Sequence, residues 1–171
     1  MHRNAIVHEL EFICDASYVH QSNLVVTEKI LDALGGTLQE LSAANRDGDE
    51  EEGFELEHEV REQLVQVAAA CMDYLIFSGL SFVSAWEQLT DERTRQGLLR
   101  SPAKESHLTR DEWYNRLRND HAKAVRQQLS ETTQLSGDLK SMESFFVTMV
   151  KLGAAAVAAL ENLDEAMAVE R

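Results

Sequence analysis

Proline, cysteine and glycine are scarce in this chain, and each scarcity excludes something. One proline, Pro102, and eight glycines in 171 residues leave few places where a helix must stop. The two cysteines, Cys14 and Cys71, lie in apolar helical contexts with neither a CxxC pair nor zinc-ligand spacing. Buried free thiols are therefore expected, not a disulfide framework. Runs of β-branched residues and Asn-Gly hairpin signals are missing, which removes the strand signature. There is no Gly-rich phosphate loop, no serine nucleophile elbow and no HExxH metal motif. The opening stretch, MHRNAIVHELEF, carries charges where a signal peptide would have an apolar core. These features predict a cytoplasmic protein with no cofactor and no metal site.

What is present favours helices. The expected fold is all-α: a single domain over 1–171, built as an antiparallel bundle of four to six helices, with room for an elongated shape. Val60 to Leu89 is the longest apolar stretch and the predicted core helix. Apolar or small residues recur at Val60, Leu64, Val67, Cys71, Leu75, Ser78, Phe82, Ala85 and Leu89, and a second row runs through Val65, Ala69, Met72, Ile76, Leu80 and Val83. Two rows place neighbours on two sides. The span Val67–Trp86 is long enough to cross a membrane, but Asp73 sits at its middle. A mid-bilayer aspartate costs about 3 kcal/mol, so a buried core helix is predicted. This helix should start near Phe54 and end or break near Leu89-Thr90, with a further turn or short helix to about Leu99, and Gly79 is a point of kink, division or close packing.

Before it, helical spacing runs through 4–20 and 24–41, with possible breaks at Ser22-Asn23 and Gly35-Gly36. Residues 45–53, NRDGDEEEG, read as an acidic linker. Residues 100–108 contain the proline and read as a second loop. Thr109 and Glu112 have capping-box spacing, with Leu108 and Trp113 at the staple positions. The helix they open should end at Ser136-Gly137. A last helix at about 139–168 carries an all-small middle, GAAAVAA at 153–159, which invites close approach within the chain or across a homodimer.

Thirty acidic residues against sixteen basic ones give a net charge of −14. That argues against general binding of nucleic acid or anionic membrane, and favours a basic protein partner. The candidate docking residues are Asp49, Glu50, Glu51, Glu52 and Glu55. The function expected from this pattern is a non-enzymatic helical interaction protein: an adaptor, an immunity- or antitoxin-like inhibitor, or a small subunit of a larger assembly.

One segment has the opposite sign. Residues 93–126 hold nine Lys/Arg against four acids, a net +5. Arg110, Arg116, Arg118, Lys123 and Arg126 are the candidate nucleic-acid contacts, unless they pair with the acidic 47–62 stretch. Arg3 to His8, Arg100 to His107 and Arg116-Leu-Arg-Asn-Asp-His121 each place an arginine a few residues before a histidine. This spacing resembles the mark of HEPN ribonucleases, which are all-helical. The resemblance implies Arg116, Arg118 and His121 as catalytic residues of an RNA-cleaving alternative. On a regular helix Arg116 and His121 point about 140° apart, and Arg118 shares the histidine's face better. Separately, Glu51-Glu52-Gly-Phe-Glu55 has the EExxE spacing of MazG-like nucleotide pyrophosphohydrolases, and Glu161-Asn-Leu-Asp164 resembles their second element. That likeness implies a magnesium site, although here the two elements lie far apart in the chain. Glu55 and His58 match one ExxH of a ferritin-like di-iron site, without the second.

Overall fold

The computed structural model describes residues 5–11, 23–99, 109–133 and 139–169, with side chains over 5–11, 24–97, 109–128 and 145–163. They form six helices: α1 (5–11), α2 (Asn23–Asp47), α3 (Glu50–Phe77), α4 (Phe82–Leu99), α5 (Arg110–Thr133) and α6 (Leu139–Val169). No strand occurs among the described residues. The fold is the expected all-α antiparallel bundle. Helices α2, α3, α6 and α5 form a ring in which each packs on two neighbours, and α4 lies against α6 and α3. The short α1 is held by buried Ile6 and Leu10 and by Arg61 of α3, whose Nη1 lies 2.7 Å from Glu9 Oε2.

The predicted core helix is two helices, and Gly79 is the reason. It adopts φ +110°, a left-handed conformation that ends a helix cheaply only at glycine. The Gly79 N–H donates to Ile76 O (3.0 Å) and the Leu80 N–H to Leu75 O (3.2 Å). This paired closure satisfies carbonyls that the helix end would otherwise orphan. Ser81 then opens α4, its hydroxyl accepting from the Ser84 N–H at 3.1 Å. Helix α4 continues past Thr90 to Leu99.

The acidic linker predicted over 45–53 shrinks to a two-residue turn at Gly48-Asp49. Gly48 is left-handed (φ +73°), and the Asp49 N–H closes back on Ala44 O at 3.0 Å. Asp49 caps α3 by accepting from the Glu52 N–H at 3.0 Å. Glu50, Glu51 and Glu52 fill the first helical turn, where the macrodipole favours negative charge. A run that looked too charged for a helix is therefore its N-terminus. Gly35-Gly36 does not break α2. Gly35 is instead a close approach: a Cβ there would lie 2.5 Å from Tyr114 Oη.

The capping box forms as predicted. The Thr109 N–H donates to Glu112 Oε2 at 2.7 Å and the Glu112 N–H to Thr109 Oγ1 at 3.2 Å. The predicted 100–108 loop with Leu108 and His107, the stop at Ser136-Gly137, and Arg3, Cys14, Ser22, Arg100 and Asp164 (its side chain) lie outside the described residues.

The core follows the predicted rows through Val60, Leu64, Val67, Cys71 and Leu75, all buried, each large apolar side chain contributing about 1.5–3 kcal/mol. Past Gly79 the rows part: Ala85 and Leu89 are buried, but Val83 is 64 % exposed. Every residue from Leu152 to Leu160 is buried, so the small-residue patch serves packing inside the chain. Phe145–Leu163 is the one described stretch long and apolar enough to cross a membrane, and 72 % of it is buried within the chain.

Candidate functional site

Helix α3 carries the predicted acidic docking residues on its outer face. Glu50, Glu51, Glu52 and Glu55 are exposed, and so is Asp49, whose carboxylate is committed to the cap. The same face continues through Glu59 and Glu62. Within it stands Phe54, 48 % exposed, with the His58 ring set edge-on at 4.5 Å. Residues 50, 54, 58 and 62 make one i,i+4 row and 51, 55 and 59 the next. The surface is thus a field of carboxylates around one ring pair, Phe54 and His58. Sequence reasoning named the acids and passed over Phe54, which breaks the acidic run at the helix repeat.

The basic segment is largely turned inward to ion pairs. Arg110 Nη2 lies 2.6 Å from Glu57 Oε1, Arg118 Nη1 3.0 Å from Asp32 Oδ1, and Arg93 Nη2 3.7 Å from Glu161 Oε2. The partners come from α3, α2 and α6, so the segment neutralises acids around the whole bundle, not only the 47–62 stretch. Arg95 pairs locally with Glu92, and its hydrogen bond holds the Glu92 carboxyl below its ordinary pKa. The Arg116 guanidinium sits 5.3 Å from the centre of the Trp113 ring, within cation–π range. Lys123 and Arg126 are exposed.

His121 points inside. It is 5 % exposed, with Nε2 3.0 Å from Leu24 O, so that nitrogen carries the proton and donates it to the carbonyl. Arg116 and His121 are not brought together at a shared surface. Among the described residues, no three His, Cys, Asp or Glu side chains gather as a metal-holding group, Glu51, Glu52 and Glu55 included. Cys71 is fully buried. Burial raises its thiol pKa and the nearby Asp120 and Asp73 carboxylates reinforce the rise, so it is not poised as a nucleophile.

A second feature was not foreseen. Four helices each contribute an i,i+4 pair to one cavity of about 250 Å³: Leu34 and Leu38 from α2, Val60 and Leu64 from α3, Trp113 and Leu117 from α5, Ala159 and Leu163 from α6. Arg110, Tyr114 and Asn162 complete the lining. Trp113 Nε1 and Asn162 Nδ2 are buried without a hydrogen-bond partner among the described residues. Each pair is an ordinary core repeat in its own helix, so only their convergence marks the place. Asn162, a polar residue beside the apolar face of α6, was the one local sign.

No protein-family model, curated protein or solved structure matches this chain.

Proposed function

We propose that this chain is a non-enzymatic helical interaction protein, of the adaptor, inhibitor or small-subunit kind, acting in a cytoplasmic setting. It receives a basic protein partner on the outer face of the first half of α3. The observation that carries this reading is Phe54 standing exposed among Glu50, Glu51, Glu55, Glu59 and Glu62. A partner with apolar and cationic side chains gains there in two ways. Burial of the ring supplies an anchor, strengthened when a cation lies over its face. The carboxylates steer approach and select against acidic competitors, with a strength that falls as salt screens them. The basic segment supports an RNA-cleaving role less well, because Arg110, Arg118 and Arg93 are already paired within the chain and His121 is engaged by Leu24 O.

The test is a paired capture experiment at low and high salt. Partners retained by the wild-type chain should be released by salt. They should also be lost, by about tenfold in affinity or more, when Glu51→Lys and Glu55→Lys are combined. Phe54→Ala should weaken capture without changing its salt dependence. Retention indifferent to salt and to charge reversal overturns the reading.

A further inference from the structure

The cavity ringed by α2, α3, α5 and α6 has an apolar interior and an uneven polar lining. Its polar side chains, Arg110, Trp113, Tyr114 and Asn162, all carry N–H or O–H groups, and no carboxylate is among them. Trp113 is 5 % exposed, yet among the described residues its indole N–H has no partner, and neither has the Asn162 amide nitrogen. A buried donor left unpaired loses its hydrogen bond to water without replacement, so these groups favour an occupant that brings an acceptor. Arg110 stands at the mouth with its side chain 39 % exposed. Its Nη2 is held by Glu57 at 2.6 Å, which leaves the rest of a five-donor guanidinium fork.

We infer that this cavity binds a small amphipathic carboxylic acid, its apolar body inside and its carboxylate at the Arg110 mouth. Size sets the length of the body. Apolar cavities of about 150 Å³ take up benzene, about 25 Å³ per heavy atom. The 250 Å³ here therefore fits about ten heavy atoms by that scale, the size of octanoate. The apolar walls supply affinity in proportion to the area they cover. The donors choose the head group: the unpaired indole and amide N–H groups and the guanidinium all look for an acceptor, and a carboxylate offers two acceptor oxygens. An ammonium head finds no anion in the lining, and a neutral hydroxyl gains little from the guanidinium.

Titration calorimetry and thermal melts with octanoate, octanol and octylamine test this on the whole chain. Octanoate should bind one per chain and raise the melting temperature as its concentration rises. Octanol should bind about tenfold more weakly, and octylamine more weakly still. Asn162→Asp puts a carboxylate into the lining at nearly constant volume. It should weaken octanoate about tenfold and leave octanol unchanged. Ala159→Leu adds three carbons, about 75 Å³ on the same scale, which leaves too little room for an eight-carbon body and should weaken both at least tenfold. If that variant does not fold, Asn162→Asp, at a half-buried position, still decides. No binding of octanoate at millimolar concentration, equal binding of octanol or octylamine, or an Asn162→Asp variant that binds octanoate as the wild type does would each overturn the inference.

Discussion

Helix α6 meets the bundle in two ways within a short distance of itself. At Gly153 there is no room for one more carbon: a Cβ would lie 2.8 Å from Leu89 Cδ2 and 3.0 Å from Cys71 Cβ. Six residues on, about 9 Å along the axis, Ala159 lines a cavity of about 250 Å³. At both places α6 presents a small residue, so the size of that residue alone does not decide which one closes. The difference lies in what stands opposite. Gly153 faces Leu89 from α4 and Cys71 from α3, whereas α4 contributes nothing to the cavity lining. Where α4 braces α6 the small side chains are filled in; where it does not, their missing volume stays open. A small-residue run therefore acts as close packing or as a cavity wall according to the fourth helix.

Four substitutions probe that contrast, in falling order of effect. Gly153→Val forces a Cβ and two methyls into a full contact and should cost about 3 kcal/mol, read as a lower urea midpoint with an unchanged slope. An unchanged midpoint would mean that Leu89 yields freely and the seam is not tight. Arg110→Met removes the cation facing Glu57, whose side chain is only 11 % exposed. The expected loss is about 2 kcal/mol, kept below the range for fully buried pairs because Arg110 is more than a third exposed. Ala159→Val adds the same kind of bulk as the first change but on the open side. It should raise stability by up to about 1 kcal/mol, opposite in sign to Gly153→Val, and a loss of similar size would mean that the cavity walls are rigid. Gly36→Ala has no neighbour within 4 Å of the new carbon. It should add about 0.5 kcal/mol through the backbone alone, the baseline against which the two packed sites are judged.

Much of the fold was legible because its signals are local. The capping box at Thr109 and Glu112 needs only three residues of separation. The buried rows on α3 follow from the helical period. Gly79 was marked as a kink, division or close contact, and Gly-Leu-Ser completes both a stop and a start. The 45–53 run put the helix start too late, near Phe54, because its charge and glycine resemble a linker, whereas α3 begins at Glu50 with Asp49 as its cap. The exposed acidic face of α3 was legible for its carboxylates and not for Phe54. The cavity was not legible at all, since its four pairs are scattered from Leu34 to Leu163 and each looks like core. Pairing of the basic segment with the 47–62 stretch was the alternative to a nucleic-acid surface, and Arg110 takes it at Glu57, while Asp32 and Glu161 could be matched to Arg118 and Arg93 only in three dimensions.

The position of α6 in the chain order carries a consequence for how the molecule is made. It is the last of the described helices, yet it packs on α3, α4 and α5. The α2–α3 hairpin, joined by two residues, assembles from contacts close in sequence and so forms early. Until residues 139–163 emerge from the ribosome, the row Val67, Cys71 and Leu75 has no α6 to cover it. A chain cut before residue 139 should therefore lack the cover on this row, the kind of exposed apolar surface that makes partly folded chains aggregate.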